Sequence, residues 1–116
     1  MANLNRLMGL SGCVAAGEFT PTGELVSYKG DLPEEIAHFL ARQCAANSLM
    51  GRVQSEGLAR LSGLNWQPFH GWAIAAGDYS LCVMGQIGVF VETDKADFND
   101  IYRTLSEEAN VLLKAA

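Results

Sequence analysis

Apolar residues change their spacing several times along this chain, and each change marks an element. Leu4, Leu7 and Met8 recur at helical spacing, so residues from about Asn3 to Leu10 form a short amphipathic helix of two turns at most. From Gly12 to Phe19 the run Gly-Cys-Val-Ala-Ala-Gly-Glu-Phe reads as a strand. Thr20-Pro21-Thr22-Gly23 then supplies a proline-preset turn with a glycine able to take positive φ, and Glu24 to Tyr28 returns as the second strand of a β-hairpin. Asp31-Leu32-Pro33-Glu34-Glu35 opens a helix. Asp31 or its neighbour caps it, proline is tolerated in the first turn, and two carboxylates suit the positive end of the dipole. The helix runs to about Ser62. Beyond it, Pro68 to Ala76, Tyr79 to Met84 and Ile87 to Glu92 are strand-like runs. Gly77-Asp78 and Gly85-Gln86 separate them, glycine-first dipeptides that predict tight type II′ turns and a three-stranded meander. A last helix begins near Asp94 or Asp97, with Phe98, Ile101, Tyr102, Leu105, Ala109 and Leu112 along one stripe.

The strands also predict layers. In Cys13-Val14-Ala15-Ala16, Leu81-Cys82-Val83-Met84 and Val89-Phe90-Val91 both alternating positions are apolar, so both faces of the sheet must be covered. Three helices are available to cover them. The expected architecture is α+β, a three-layer α/β/α sandwich on a central five-stranded antiparallel sheet in the order α-β-β-α-β-β-β-α. Glu24-Leu25-Val26-Ser27-Tyr28 is more polar than the other strands and reads as an edge. At 116 residues, with no linker, low-complexity segment or fixed-period repeat, residues 1–116 are expected to form one domain.

The middle helix carries two apolar rows. Ile36, Phe39, Leu40, Cys44, Asn47, Met50, Leu58 and Leu61 fall near one side, the side expected on the sheet. Ala37, Ala41, Ala45, Leu49 and Val53 step by four around another. Such a row is either a ridge that interlocks with a second helix or ordinary helix-favouring alanine on a wet face. Roughly 28 residues at about 1.5 Å each span about 42 Å, against about 20 Å for a six-residue strand. The helix must therefore overhang the sheet, break near Gly51 or Gly57, or meet a second subunit.

Composition narrows the function classes. Hydrophobic residues make up 49% and charged residues 18%, the balance of a compact globule. The net charge of -5 is the wrong sign for neutralising phosphates, so nucleic acid and anionic membrane are excluded as partners. Leu10-Ser11-Gly12-Cys13 imitates a lipoprotein cleavage site, but the apolar run before it is only Leu7 to Leu10, against about 7 to 15 residues in a working signal. Cys13, Cys44 and Cys82 form no C-x-x-C pair and are odd in number, which suits reduced, buried thiols in a cytoplasmic protein.

Motifs for chemistry are sparse. The sequence has no G-x-x-x-x-G-K-[ST], G-x-S-x-G or G-x-G-x-x-G, and hence no recognisable nucleotide site or nucleophile elbow. Glu35-Ile36-Ala37-His38 has the E-x-x-H spacing of carboxylate-bridged metal sites but lacks the second copy such sites need, so no metal or cofactor is expected. His70 sits beside Trp72 with no carboxylate or nucleophile at a telling spacing. Arg42, Arg52, Arg60 and Arg103 read as solvated helix positions. Trp66, Phe69 and Trp72 either fill core or anchor an interface, where Trp and Phe are enriched.

Gly12-Cys13-Val14-Ala15-Ala16 through Gly23-Glu24-Leu25-Val26 resembles the first hairpin of the roadblock (dynein light chain roadblock) family. Phe69-His70-Gly71-Trp72-Ala73-Ile74-Ala75-Ala76-Gly77-Asp78-Tyr79 resembles more particularly an uncharacterised prokaryotic branch of that family. The resemblance covers nearly the whole chain and implies a roadblock/profilin-like sandwich. It implies a homodimer in which the third strands pair across two subunits and the middle helices meet on one face. It further implies a non-enzymatic scaffold or regulator associated with a small Ras-like GTPase. On that reading Ala41, Ala45, Leu49, Val53, Trp66, Phe69 and Trp72 are the candidate dimer or partner interface. The long Pro33 to Ser62 segment and Pro68 at the start of the third strand depart from the family pattern, and pairing should begin after Pro68, which has no N–H to donate. The alternative is a small-ligand or redox sensor with a pocket between sheet and helix lined by Trp72, His70 and Cys44, where Gly71, Gly85 and Gly88 leave room.

Overall fold

The computed structural model describes residues 2–110. Its elements follow the expected order: α1 (Leu4–Met8), β1 (Cys13–Phe19), β2 (Leu25–Gly30), α2 (Glu34–Ser62), β3 (Gly71–Ala76), β4 (Tyr79–Met84), β5 (Ile87–Glu92), a 3-10 turn (Thr93–Lys95) and α3 (Phe98–Glu108). All strands are antiparallel to their neighbours and lie in the order β2-β1-β5-β4-β3. The edges are thus β2, as its polar sequence suggests, and β3. Gly77 and Gly85 take φ of +57° and +56° in the two tight turns, while Asn110 is the one described non-glycine residue at positive φ. Positive φ at the first turn position alone is the type II′ pattern. Leu112 of the predicted α3 stripe lies outside the described residues.

Helix ends obey local chemistry. The Asn3 side chain accepts from the Arg6 N–H at 3.2 Å, and that of Asp97 accepts from the Asp100 N–H at 3.2 Å. Asp31 does not cap α2: its N–H instead donates to the Val14 carbonyl at 3.1 Å, prolonging the β1–β2 ladder, and Pro33 occupies the cap position without a side-chain bond. α2 stops at Gly63, left-handed at φ 71°.

Three layers result. On one face of the sheet Leu4 and Leu7 of α1 and Ile101 and Leu105 of α3 pack on Ala16, Cys82, Met84, Ile87, Val89 and Val91. On the other, Ala41, Cys44 and Ala45 of α2 pack on Phe19 and Val83. Arg6 ties α1 to the end of α3 through Glu107 and Glu108, and Glu108 also accepts from the Asn3 N–H at 2.7 Å. These bonds hold the Glu108 carboxyl below its ordinary range, the Asn3 N–H contributing most.

The face that α2 turns to the sheet differs from expectation: the alanines of the second row are buried, while its Leu49 and Val53 are exposed. Ala37, Ala41 and Ala45 face the sheet, while Ile36, Phe39, Met50, Leu58 and Leu61 of the predicted sheet-facing row are exposed, Leu61 to 83%. Of that row Cys44 is the one residue that is buried. The reason is distance: alanine, cysteine and serine let the helix backbone lie close to the strands, where larger side chains would hold it off. α2 also runs unbroken through Gly51 and Gly57, and its 29 residues overhang the sheet. Among the described residues no helix is long and apolar enough to cross a membrane.

Candidate partner surfaces

Two apolar surfaces are left open by this packing. The first is the β3 edge. Gly71-Trp72-Ala73-Ile74-Ala75-Ala76 carries no charge, and its last four residues are exposed, Ile74 to 47%. The register Ala76↔Tyr79, Ile74↔Leu81, Trp72↔Val83 starts from a hydrogen-bonded pair closing a two-residue turn, so those residues bond to β4. The peptide groups of Ala73 and Ala75 consequently point away from the sheet, and among the described residues no strand lies beside them. A six-residue apolar edge without a lysine, proline or bulge is the kind of strand that pairs with another chain.

The second surface is the outward side of α2, where Ile36, Phe39, Met50, Val53 and Leu61 stand in water. Leu49 and Val53 of the predicted interface lie there, whereas Ala41 and Ala45 are in the core and take no part in a surface. Gly23 of the β1–β2 turn lies against Arg42 and Ala45, and Leu49 and Val53 follow one and two helical turns beyond Ala45.

Residues 63–70 form a strap that runs back along the overhanging half of α2, and three small residues of the helix receive the strap and the start of β3. The Trp72 indole N–H donates to Ser48 Oγ at 2.8 Å, the Phe69 ring sits over Gly51, and Ser55 Oγ donates to the Trp66 carbonyl. A Cβ on Gly51 would come within 2.4 Å of the Phe69 ring, so the glycine is a socket. Sequence reasoning missed this trio. Its signal is Ser48-x-x-Gly51-x-x-x-Ser55, small and polar residues on one stripe of a helix that is otherwise apolar there. Trp66 remains half exposed, while Phe69 and Trp72 are partly buried.

The strap, β3 and α3 enclose a groove of about 740 Å3 that includes Trp66, Phe69, His70, Trp72, Phe98 and Tyr102. Cys44 is not in it. That thiol lines a separate apolar pocket of about 50 Å3 between the sheet and the first half of α2, beside Gly17, Gly88 and Phe90. The predicted sensor pocket of Trp72, His70 and Cys44 is therefore two places. Burial pushes the Cys44 thiol up to about 12 and Cys13 to about 11, and raises Cys82 as well, so none is poised as a thiolate. His38 lies 3.5 Å from Glu34, one turn back on the exposed side of α2. Arg42, Arg52 and Arg60 are exposed, and Arg103 pairs with Asp100 within α3.

Solved structures share this architecture. The Roadblock/LC7 domain from Streptomyces avermitilis superposes with a TM-score of 0.75 at 14% identity, over 91% of this chain and 87% of that one. The gliding protein MglB from Thermus thermophilus does so at 0.66 and 17% identity, over 92% and 83%, and Myxococcus xanthus MglB at 0.65 and 19%, over 91% and 88%. At these identities the likeness is one of fold, and the fold is that of the roadblock proteins. No curated protein matches the chain in sequence. A family model described as an uncharacterized conserved protein, DUF2173, matches residues 3–107, and the chain belongs to that family.

Proposed function

We propose that this protein is a non-catalytic homodimeric scaffold or regulator, assembled through β3 and serving a small Ras-like GTPase. The observation that carries the reading is the open β3 edge, uncharged, apolar, and with the peptide groups of Ala73 and Ala75 unpaired. Antiparallel pairing of two such edges joins two five-stranded sheets into one of ten strands. It also brings Ile74, exposed on the α2 side, under cover of the second subunit. The roadblock fold supports the assignment, and a structure sharing it is described as MglB with a tetrameric arrangement, so self-association occurs on this architecture. Thiols held protonated by burial weigh against a redox role.

Subunit mass by light scattering tests the edge. The wild type is expected to be a dimer at low micromolar concentration. Ala75→Pro deletes an outward N–H without touching the β4 ladder, Ile74→Lys adds a charge to the contact, and each should give a folded monomer. A dimer unaffected by both substitutions, or a monomeric wild type, overturns the reading.

A further inference from the structure

We propose that the pocket between the first half of α2 and the sheet binds a small apolar molecule, uncharged and of up to about four non-hydrogen atoms. The site lies within one chain and goes beyond the homodimer reading, on which it does not depend. Its floor is a pair of glycines. Gly17 of β1 and Gly88 of β5 stand directly opposite each other, in a register that runs unbroken from Ala15↔Phe90 to Glu18↔Ile87. Their neighbours Ala16, Ile87 and Val89 pack toward α1 and α3, so both glycines face α2. Glycine weakens a strand interior. Where it stands there, it serves a positive φ, a bulge, or the close approach of another backbone or a ligand.

The backbone gives no reason for this pair. The β1–β5 ladder is regular across it, and neither glycine is among the residues at positive φ. Distance removes the helix as a reason too. A Cβ on Gly17 would meet the Ser27 carbonyl oxygen and Tyr28 Cβ, both at 3.5 Å and both in β2, and no atom of α2 within 4 Å. A Cβ on Gly88 would come to 3.0 Å from Val83 Cγ2, so β4 uses part of the room there, and its nearest atoms are again none of the helix's. Ala41 and Cys44 therefore bridge the glycines without resting on them. What the missing side chains make is the pocket of about 50 Å3.

Wall chemistry and size specify the occupant. Phe19, Leu25, Leu81 and Phe90 form the sides, with Ala41 and Cys44 above. Glu18 is the one acidic or basic residue of the lining, and its carboxylate accepts from the Ala2 N–H at 3.4 Å, toward α1 and away from the pocket. The Cys44 thiol, held protonated by burial, is a weak donor. A water in a cavity needs about two to four polar partners, which these walls do not offer, whereas an apolar molecule needs none. A charge would be desolvated with nothing opposite. Each water-sized atom takes about 10–15 Å3 of such a cavity, and benzene is held by one of about 150 Å3. The pocket thus suits a short hydrocarbon or a solute of similar bulk and excludes an aromatic ring.

Cyclopropane, apolar and compact, is the probe, and amide NMR spectra of the isotope-labelled protein are the readout. Saturable shifts are expected at Gly17, Gly88 and Cys44, with the Trp66 and Trp72 indole signals unmoved. Gly17→Ala places a methyl group in the pocket. It should lose these shifts and be at least as stable as wild type in urea, because the methyl gains packing contacts. Gly57→Ala, whose Cβ meets nothing within 4 Å, should keep the wild-type shifts, and benzene at the same concentration should produce none of them. If Gly17→Ala does not fold, Cys44→Met fills the same pocket with a longer, adaptable side chain. No saturable shift in cyclopropane-saturated solution overturns the proposal. So do shifts that persist in the filled variant, benzene shifts equal to those of cyclopropane, or a folded Gly17→Ala protein less stable than wild type, in which the glycine would serve packing alone. Subunit mass measured on the same samples separates the two readings: a monomer that still binds cyclopropane counts against the β3 edge alone, and a dimer that does not counts against the pocket alone.

Discussion

Gly51 has no side chain, and in the middle of a 29-residue helix that absence weakens the local helix by up to about 1 kcal/mol relative to alanine. What it makes room for is the Phe69 ring. Gly51→Ala gains helix propensity but drives its Cβ into the ring, and overpacking typically costs about 1–3 kcal/mol. The variant is therefore expected to be less stable than wild type in urea titration, despite the better helix former. Phe69→Ala should reverse the sign of the Gly51→Ala effect, because the methyl then occupies space the ring has left. If Gly51→Ala stabilises the protein with Phe69 present, the socket is wrong. The sequence marks Gly51 only as a place where the helix could break. It cannot show that an aromatic residue eighteen positions later folds back on it, since nothing local distinguishes a glycine that bends a helix from one that is leaned upon.

Hairpins and helices were the most legible elements, and the orientation of α2 the least. Tight turns are local: Gly77 and Gly85 announce a positive φ whatever the rest of the chain does. The face that α2 turns to the sheet is decided by which row lets the layers approach. A wheel with large apolar residues on one side and alanines on another satisfies either answer until the sheet is present. Because the alanine row is core, Ala41 and Ala45 are unavailable, and the outer flank is represented by Leu49 and Val53. Both residues face away from the stripe of Ser48, Gly51 and Ser55 that receives the strap and the start of β3. Replacing both residues with aspartate is accordingly expected to leave the subunit mass at its wild-type value. If the outer side of α2 is where the small GTPase proposed above docks, the same variant loses at least tenfold in affinity for it, roughly the scale of a truncated interface anchor. Pull-down with the purified GTPase and light scattering on the same variant check both halves. A double variant that turns monomeric would place these residues in the dimer contact instead.

Over the whole molecule, the three thiols couple stability to alkaline pH. Burial raises each of them in the folded state, so the folded protein holds its thiol protons to higher pH than the unfolded chain does. Stability is fully present below the ordinary thiol value of 9.0 and is lost as pH rises from there toward about 12 for Cys44. One pH unit past that ordinary value, a single buried thiol accounts for a loss of about 1 kcal/mol. Urea midpoints should fall between about pH 8 and about pH 10, and Cys44→Ala should flatten part of the fall; an unchanged slope would mean that Cys44 is not desolvated. The layered architecture itself was legible because strands apolar on both sides demand cover on both sides. The strand order was not, since pairing β1 with β5 joins residues some seventy positions apart, and no local pattern records it.

That central pairing also sets a schedule for synthesis. β5 lies between β1 and β4, so the first hairpin lacks its inner neighbour until Glu92 has been translated, 73 residues after Phe19. At common elongation rates this is roughly 4 to 15 seconds. Throughout that interval a nascent chain presents the inner side of β1 to whatever surrounds the ribosome. Gly17 and Glu18, a weak strand former and a charge, are the residues on that strand that discourage a wrong partner while the right one is still being made.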